Sequence, residues 1–443
     1  MTTPIAVVLA AAITAAPPPR PPNILIISLD TVRADVVPGF GGDAALSPTL
    51  TAWVRESTRF ADALTVAPLT VPAHASLLTG RYPAQHGLRD HRAHPEVTVP
   101  DSLVAKAKAR GFATAAFISA APLNGLGKKL GFDHVDLPGV VEPRAALETT
   151  DHALAWLAAQ PDRTPLLAWV HYFDAHYPYD PPQVTWRRCP MAARDAAIDL
   201  VRHGGVLDCQ ELRPKTVPQA WWRPCLWDLY ESEVAAIDRQ LARLRPAMGR
   251  HGPYIWVIIG DHGDCIAEEG MHARHATSLA ECALRIPLAI GSTLRPPVAA
   301  ARRDPVSTID VAATVAGLAG LAPTGTDGVD LFAGEAPASR TRYVEGAGIN
   351  MPGCQEPVAG AWRGDTKVVF YPTTGEWSAW RRQRGVLREI TRFGDLGVEG
   401  ERLWLDVVRR PPPPTGVLGL PGGAVSAEEQ RTQEALHALG YAQ

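Results

Sequence analysis

Three apolar runs of this 443-residue chain end directly in acidic or histidine residues. The runs and the residues that end them are 24–29 with Asp30, 166–170 with His171, and 255–259 with Gly260, Asp261 and His262. Runs without polar positions are typical of strands buried on both faces. Two more occur at 112–119 and 286–290, and helical patterns lie between the runs at 48–57, 101–110, 145–159, 229–245 and 308–319. This alternation predicts an α/β fold with a mostly parallel sheet sandwiched by helices.

The polar side chains that follow these strands are candidates for one shared site. Ligands of open α/β sheets bind beyond the carboxyl ends of the strands. The sequence therefore predicts that six residues meet in a single crevice: Asp30, His171, Asp174, His176, Asp261 and His262. One acid after one strand would carry little weight, whereas three such strand ends indicate a functional site.

The stretch at 68–83 supplies a second part of this site. Pro72 suits the first turn of a helix and Gly80 suits its C-terminal end. Thr70 is then expected on the loop that enters the helix, where free backbone N–H groups and the helix dipole favour an anion. His74 falls one turn into the helix. A hydroxyl, an imidazole and an anion-favouring helix end together indicate ester cleavage.

The overall composition excludes one class of partner. With 46% hydrophobic and 20% charged residues, the chain is an ordinary globular sequence long enough for two or three domains. Its formal net charge of -3 argues against a broad nucleic-acid-binding surface, which needs clustered Lys and Arg. The six cysteines contain no CxxC pair, so a thiolate zinc site is not predicted.

The N-terminal residues 1–22 predict a signal peptide followed by a Pro-rich leader. The apolar run at 5–16 is too short to cross a bilayer and suits a signal-peptide core, with small residues at 14–16 for cleavage. We expect export to the periplasm or the extracellular space, with no stable membrane insertion after cleavage. An uncleaved apolar tail is the alternative, and export would permit disulfides.

The remaining chain divides into three predicted parts. A catalytic α/β domain spans 23–335, and the stretch 183–227 interrupts its rhythm with three cysteines and four tryptophans. This insertion is either a lid or, as we favour, a packed excursion held by a disulfide. Short strands in 341–380 predict a small C-terminal α+β subdomain at 336–408. A Pro-rich linker and a final helix, with Ser426 and Glu429 spaced as a capping box, occupy 409–443.

The residue types at the strand ends point to a metal ion. A threonine hydroxyl is a poor nucleophile at neutral pH and becomes competent when a cation binds it. Asp30, Asp261, His262 and Thr70 would form a mixed oxygen and nitrogen ligand set. An imidazole ligand favours zinc or manganese, because calcium prefers a shell made only of oxygen ligands. Calcium is kept as an alternative. We predict one divalent ion.

Several motifs, in order along residues 23–371, resemble those of the sulfatase family of the alkaline-phosphatase superfamily. They are NILIISLDTVRAD at 23–35, TVPAHASLLTGRYP at 70–83, HYFDAHYPYDPP at 171–182, YESEVAAID at 230–238, GDHGD at 260–264 and DGVDLF at 327–332, with 275–281 and 286–288. The resemblance implies an alkaline-phosphatase-like fold. The family pattern is Cys or Ser, x, Pro, x, Arg, and its first residue becomes formylglycine. Here Thr70 and His74 stand at the first and fifth places, so no formylglycine is expected.

The resemblance also implies roles for individual residues. Asp30, Asp261 and His262 would bind the metal, with Thr70 as nucleophile. His74, Lys367 and the helix end would hold the substrate's equatorial oxygens, His171 is a further candidate substrate contact, and His176 or His275 would protonate the departing alcohol. Thr31 stands where sulfatases often carry a second acidic ligand, and no match to the family's Lys/His pair occurs near 119–129.

The threonine bears on the substrate, which we expect to be a small-molecule, glycan or lipid ester. A formylglycine hydrate has a spare hydroxyl that can expel sulfate, whereas a threonine ester must be opened by fresh attack on sulfur or phosphorus. We therefore expect phosphate ester hydrolysis to rival or exceed sulfate ester hydrolysis. A transferase that moves a phospho-group to an alcohol, and a non-catalytic binding protein that keeps the fold, are the alternatives.

Overall fold

The computed structural model describes residues 20–91, 97, 99–138, 143–203, 219–266, 268, 275–276, 279–294, 301–323, 327–347, 356–384 and 386–413. Most of the predicted signal peptide and the predicted capping box lie outside these residues. Among the described helices, none combines the length and the apolar character needed to cross a membrane.

Fifteen strands occur in the described residues. They are β1 (Asn23–Leu29), β2 (Thr58–Phe60), β3 (Ala63–Leu64), β4 (Ala113–Phe117), β5 (His134–Asp136), β6 (Leu166–Tyr172), β7 (Tyr254–Gly260), β8 (Leu288–Ser292), β9 (Ala301–Arg302), β10 (Val306–Ser307), β11 (Thr341–Gly346), β12 (Val358–Arg363), β13 (Thr366–Phe370), β14 (Trp377–Gln383) and β15 (Val386–Ile390). All five predicted strands are present, with small shifts at their ends.

The described residues also contain eleven α-helices. They are α1 (Pro48–Arg55), α2 (Thr70–Thr79), α3 (Pro83–His86), α4 (Leu103–Ala109), α5 (Asn124–Leu130), α6 (Ala146–Ala158), α7 (Arg194–His203), α8 (Gln219–Gly249), α9 (Glu281–Leu284), α10 (Asp310–Ala319) and α11 (Gly397–Val408). The predicted helix at 229–245 is the middle of the much longer α8, which begins inside the predicted insertion.

The eight-stranded central sheet has the order β5-β4-β6-β1-β7-β8-β2-β9. Strands β5, β4, β6, β1 and β7 are parallel, which confirms the predicted mostly parallel sheet. β8 runs antiparallel to both of its neighbours. β1 lies between β6 and β7, with Leu29 in register with Tyr172 and Gly260. The residues that follow these three strands therefore emerge side by side at one edge.

Helices cover both faces of this sheet. Alternate residues of β1 enter different cores, with Leu25 and Ile27 on one side and Ile24 and Ile26 on the other. Apolar residues of α1, α6, α7 and α8 fill the first core, and those of α2, α4, α5 and α10 fill the second. Full burial of a strand on both faces explains the unbroken apolar runs in the sequence.

The predicted insertion packs into the first core where the structure describes it. Cys189 and Cys225 form a disulfide. Both are buried together with Trp222 and Leu226 in the cluster that covers β1. A disulfide-linked packed excursion, which is the interpretation favoured from the sequence, describes this part of the chain.

A separate five-stranded antiparallel sheet, β11 to β15 in order, forms the C-terminal part. Helix α11, which the sequence analysis did not predict, packs on one face of it through Leu403 and Val407. The other face packs through Trp362 against Leu279 and Leu284 of the preceding chain. The small C-terminal α+β subdomain is thus present, and it lies directly against the segment that follows the GDHGD motif.

Candidate active site

Helix α2 carries Thr70 at its first position. Leu69 is the extended N-cap residue and Gly80 ends the helix with φ 71°. The helix thus begins two residues before Pro72, so the prediction that Thr70 lies on the entering loop is wrong. Proline fits anywhere in a first turn, because the N–H that it lacks would be unsatisfied there. The predicted C-terminal end at Gly80 is confirmed.

Asp30, Asp261 and His262 form a compact cluster at the carboxyl ends of β1 and β7. One ligand atom from each lies within 4.8 Å of the others, and all three residues are buried. Gly260 allows this approach, because a Cβ at this position would lie only 2.4 Å from the Val32 carbonyl oxygen. Asp261 Oδ1 accepts hydrogen bonds from the backbone N–H groups of Thr31 at 3.0 Å and His262 at 2.7 Å.

The cluster leaves three buried polar atoms facing one another. Asp30 Oδ1, Asp261 Oδ2 and His262 Nε2 have no hydrogen-bond partner among the described residues. Burial raises the pKa of Asp30, and burial together with the charge of Asp30 raises that of Asp261 well above its usual value. Burial lowers the pKa of His262. Two carboxylates and a neutral imidazole are ligands that a zinc or manganese ion accepts, so the residues fit a divalent cation.

Thr70 lies beside this cluster. Interaction with the Thr70 side chain is among the causes that lower the pKa of Asp30, against the larger effect of burial. Thr70 is itself buried, with 1% of its surface exposed. The Thr70 hydroxyl, at the N-terminal end of α2, is therefore a buried neighbour of Asp30 and of the space that the three orphaned atoms face.

His171 lies behind Asp30 and does not face this space. Its Nε2 is 3.0 Å from Asp30 Oδ2, and its Nδ1 accepts a hydrogen bond from the Ser119 backbone N–H at 3.4 Å. Both ring nitrogens are engaged, and burial lowers the pKa to about 3. These contacts are those of a residue that positions Asp30, and they differ from the substrate contact that the sequence predicted.

His74 is likewise held on both sides. Its Nδ1 donates to the Thr70 carbonyl oxygen at 2.8 Å, and its Nε2 is 2.9 Å from Ser28 Oγ. That serine oxygen also accepts from Trp169 Nε1 at 2.8 Å. Because Nδ1 carries the proton of the neutral His74 ring, the serine hydroxyl donates to Nε2. Burial lowers the pKa of His74 to about 3. This neutral ring links the first turn of α2 to β1, and neither of these contacts is the predicted one with substrate oxygens.

His176 and His275 lie together over the metal-ligand cluster. The His275 ring packs on His262 with centroids 4.6 Å apart and planes tilted by 32°, and it meets His176 edge-on at 5.1 Å. His275 Nδ1 is 3.4 Å from Asp264 Oδ1, and Asp264 Oδ2 accepts from the Tyr179 hydroxyl at 2.7 Å. His176 Nδ1 instead donates to the Tyr177 carbonyl oxygen at 2.6 Å. Only His275 of these two has a carboxylate behind it in these contacts.

Lys367 contacts a different part of the chain in the described residues. Its Nζ donates to the Leu279 carbonyl oxygen at 2.7 Å and lies 4.9 Å and 4.6 Å from the ring centroids of Trp362 and Trp380. Only 5% of its surface is exposed. These contacts hold the ammonium group at Leu279, and the predicted contact with substrate oxygens stays a prediction.

Two residues near the site were not assigned a role from the sequence. His91 is buried, and the charges of His275 and His176 add to burial in lowering its pKa to about 3, which locates it beside them. Its only sequence signal is its position shortly after α3. Asp264 lies within the GDHGD motif, but its partnership with His275 depends on a fold that the motif does not reveal.

A second group with metal-ligand spacing consists of Cys265, Glu268 and Cys282. The two cysteines are joined in a disulfide. Glu268 accepts two hydrogen bonds from Arg33, which lies over the ring of Trp227 at 4.7 Å. Because all three side chains are already engaged, this group is structural.

An α/β sheet with buried acids, histidines and a hydroxyl at its carboxyl edge defines an ester hydrolase. The sulfatase family model matches residues 22–321. The chain belongs to the sulfatase family.

Individual relatives agree with this assignment. Choline-sulfatase of Rhizobium meliloti is 24% identical, with 70% of each chain covered. Three further curated sulfatases match this chain over 18% or less of their own length.

Among solved structures, a protein in complex with its substrate D-glucosamine-2-N,6-O-disulfate has a TM-score of 0.67 at 17% identity, covering 87% of this chain and 96% of that one. Phosphonate monoester hydrolase of Agrobacterium radiobacter has a TM-score of 0.66 at 18% identity, with 87% and 94% covered. At these identities the solved structures establish the fold.

The variant Asp261→Asn tests the ligand assignment. The amide oxygen of the variant can keep both backbone hydrogen bonds of Asp261 Oδ1. The negative charge is lost, and an NH₂ group replaces Oδ2, the oxygen that would bind the metal. Because burial raises the pKa of Asp261, folding of the metal-free wild type weakens as the pH rises above the ordinary carboxyl value of about 4. At neutral pH without metal we expect a higher Tm for the variant than for the wild type.

Added zinc or manganese should reverse this order. At a concentration about 1,000-fold above its dissociation constant, an ion that binds only the folded state stabilises it by about 4 kcal/mol. The wild type and the exposed control Asp395→Asn should show this shift, and Asp261→Asn should lose most of it. Equal metal-induced shifts in all three proteins would contradict Asp261 as a ligand.

Proposed function

We propose that this protein is a metal-dependent hydrolase of phosphate or sulfate esters that uses Thr70 as its nucleophile. The observation that carries the proposal is the set of three orphaned buried atoms, on Asp30, Asp261 and His262, beside the Thr70 hydroxyl. Unpaired buried polar atoms are costly, and a bound cation would satisfy all three. The intact ligand set also argues against a binding protein that keeps only the fold.

The ion would be held by Asp30, Asp261 and His262, and when bound it would supply Lewis-acid stabilisation of negative charge. The Thr70 hydroxyl gives up its proton to water as its oxygen attacks phosphorus or sulfur in line, and the bond to the departing alcohol oxygen breaks as the new bond forms. Free backbone N–H groups in the first turn of α2 face the substrate oxygens, where they stabilise the charge of the transition state.

His275 is the better candidate for the acid that protonates the departing alcohol. Its Nδ1 faces Asp264. A carboxylate behind an imidazole holds the ring in a fixed orientation. The pKa of His176 is lowered by burial and by the charge of His275, so His176 is the poorer proton donor and the better contact for a substrate oxygen. The proton moves from the His275 ring to the alcohol oxygen as that oxygen leaves.

The second step determines the ester class. The Thr70 ester must be opened at phosphorus or sulfur, by water for hydrolysis or by an alcohol for transfer. This route suits phosphoryl groups better than sulfuryl groups, so we propose that phosphate ester hydrolysis equals or exceeds sulfate ester hydrolysis. The similarity to a phosphonate monoester hydrolase as well as to sulfatases supports a site that accepts either centre.

Export supports this function and is itself part of the proposal. Two disulfides occur in the described residues, and no free cysteine occurs there. Disulfides persist in oxidising compartments such as the periplasm or the extracellular space. Small-molecule, glycan or lipid esters are the substrates accessible there.

A substrate panel tests the ester preference. Purified wild type loaded with zinc, manganese or calcium should hydrolyse aryl phosphate mono- or diesters at least as fast as the matching aryl sulfate. The measurement is kcat/KM for each ester, together with the metal content of the protein. Faster turnover of the sulfate would overturn the phosphate preference and leave the ester hydrolase in place.

Two substitutions of Thr70 test the nucleophile. Thr70→Val keeps the shape of the side chain and removes the hydroxyl, so kcat should fall by on the order of 10³-fold or more. Thr70→Ser retains a hydroxyl and should stay within about 10-fold of the wild type. Acid quenching during turnover should trap a phosphorylated peptide containing residue 70 in the wild type. The same treatment of Thr70→Val should trap none. Full activity of Thr70→Val would refute covalent catalysis by this residue.

The role of His275 as the acid is tested by the leaving group. His275→Gln should lower kcat/KM by about 10²- to 10⁴-fold for an alkyl ester, whose alkoxide needs a proton. For a 4-nitrophenyl ester, which leaves without a proton, the loss should be about 10-fold or less. His176→Gln is the matched control and should affect both esters alike. If His176→Gln shows the leaving-group dependence instead, the acid is His176.

A further inference from the structure

The residues 275–276 and 279–284 connect three separate parts of the proposed site. The Ala276 backbone N–H donates to the Pro68 carbonyl oxygen at 2.7 Å, two residues before Thr70. The Leu279 carbonyl oxygen accepts from Lys367 of the C-terminal sheet at 2.7 Å. The Ala283 carbonyl oxygen accepts from the Gly263 N–H at 2.8 Å, next to the metal ligand His262.

One covalent bond joins this segment to the metal-ligand turn. Cys265, directly after Asp264, is bonded to Cys282 in α9. Cys265 is completely buried and packs with Ala280 and Ala283. The backbones are in close contact here, because a Cβ on Gly263 would lie 2.0 Å from the Cys282 carbonyl oxygen. The turn at 261–265 is therefore packed directly against α9.

We propose that the Cys265–Cys282 disulfide, hereafter the clamp, is a positioning element for the active site. It fixes the turn that carries Asp261, His262 and Asp264 against the segment that carries His275. Both the metal-ligand geometry and the Asp264–His275 contact depend on that fixed distance. This inference rests on the proposed function, and it predicts that an oxidised clamp is needed for full metal affinity and turnover.

The chain provides a control that separates positioning from stability. The clamp closes a sequence separation of 17 residues, whereas Cys189–Cys225 closes one of 36. In the chain-entropy model a disulfide that closes a longer loop stabilises at least as much. If the clamp acted only through stability, removal of Cys189–Cys225 would impair activity at least as strongly.

The experiment compares the wild type with Cys265→Ala/Cys282→Ala and with Cys189→Ala/Cys225→Ala. Zinc and manganese titration of metal-free protein gives Kd, steady-state kinetics gives kcat and KM, and thermal unfolding gives Tm. For the clamp variant we expect Kd to rise and kcat to fall by about 10- to 100-fold, the usual effect of losing support behind metal ligands. KM should change less than kcat. The control variant should lose as much Tm and keep Kd and kcat near the wild-type values.

Two results would overturn the clamp. The first is an unchanged Kd and kcat in Cys265→Ala/Cys282→Ala. The second is that both double variants lose metal affinity and kcat equally, in proportion to their loss of Tm. A wild type that binds no metal and cleaves no ester would instead overturn the proposed function, and the clamp with it.

A second measurement covers the case in which the clamp variant does not fold. Graded reduction of the wild type, with the opened cysteine pair identified by mass spectrometry, gives activity and metal content against the state of each disulfide. Losses should follow opening of Cys265–Cys282 and reverse on reoxidation. Losses that follow Cys189–Cys225 contradict the inference.

Discussion

Two carboxylates of like charge, Asp30 and Asp261, are buried side by side at the ends of neighbouring strands, and the rest of the site is arranged around them. The register of β1 with β7 places Leu29 beside Gly260, so the residues that follow them, Asp30 and Asp261, also lie next to each other. Each carboxylate has one oxygen fixed by hydrogen bonds from the protein, and its other oxygen faces the shared space. Without a cation this arrangement favours protonation of the acids, since burial raises both pKa values and the charge of Asp30 adds to the effect on Asp261.

The histidines of the site differ in function because their hydrogen-bond partners differ. His74 and His171 are enclosed, have both nitrogens engaged, and have pKa values lowered by burial, so they hold Thr70 and Asp30 in place as neutral rings. His262 keeps Nε2 free of hydrogen bonds and offers it to the metal-ligand space. His275 faces a carboxylate. The same residue type therefore serves in three ways: His74 and His171 as supports for neighbouring groups, His262 as a proposed metal ligand, and His275 as the proposed proton donor.

The sequence was sufficient to predict the sheet and the convergence of its strand ends, because full burial on both faces leaves an unbroken apolar run. It could not predict the direction of β8, since a short buried strand has the same pattern in either direction. Helix α11 was missed because its apolar residues, such as Leu403 and Val407, are few and become meaningful only against the C-terminal sheet. The contacts of His171, His74 and Lys367 differ from those predicted from the sequence, for a common reason. Residue type and motif position predict proximity to a site, whereas hydrogen-bond partners from distant segments decide which way a ring or an ammonium group faces.

Lys367 illustrates how the C-terminal sheet takes part in the site without supplying reacting atoms. Its ammonium group lies between two tryptophan rings and binds a backbone carbonyl, an arrangement that offsets the cost of burying its charge. The bound carbonyl belongs to Leu279, three residues before Cys282 and four after His275. The sheet thereby holds the segment that positions the proposed acid, while β1, β7 and α2 hold the ligands and the nucleophile. The proposed acid thus lies on a segment that is hydrogen-bonded both to the turn after β7, through Gly263, and to the C-terminal sheet, through Lys367.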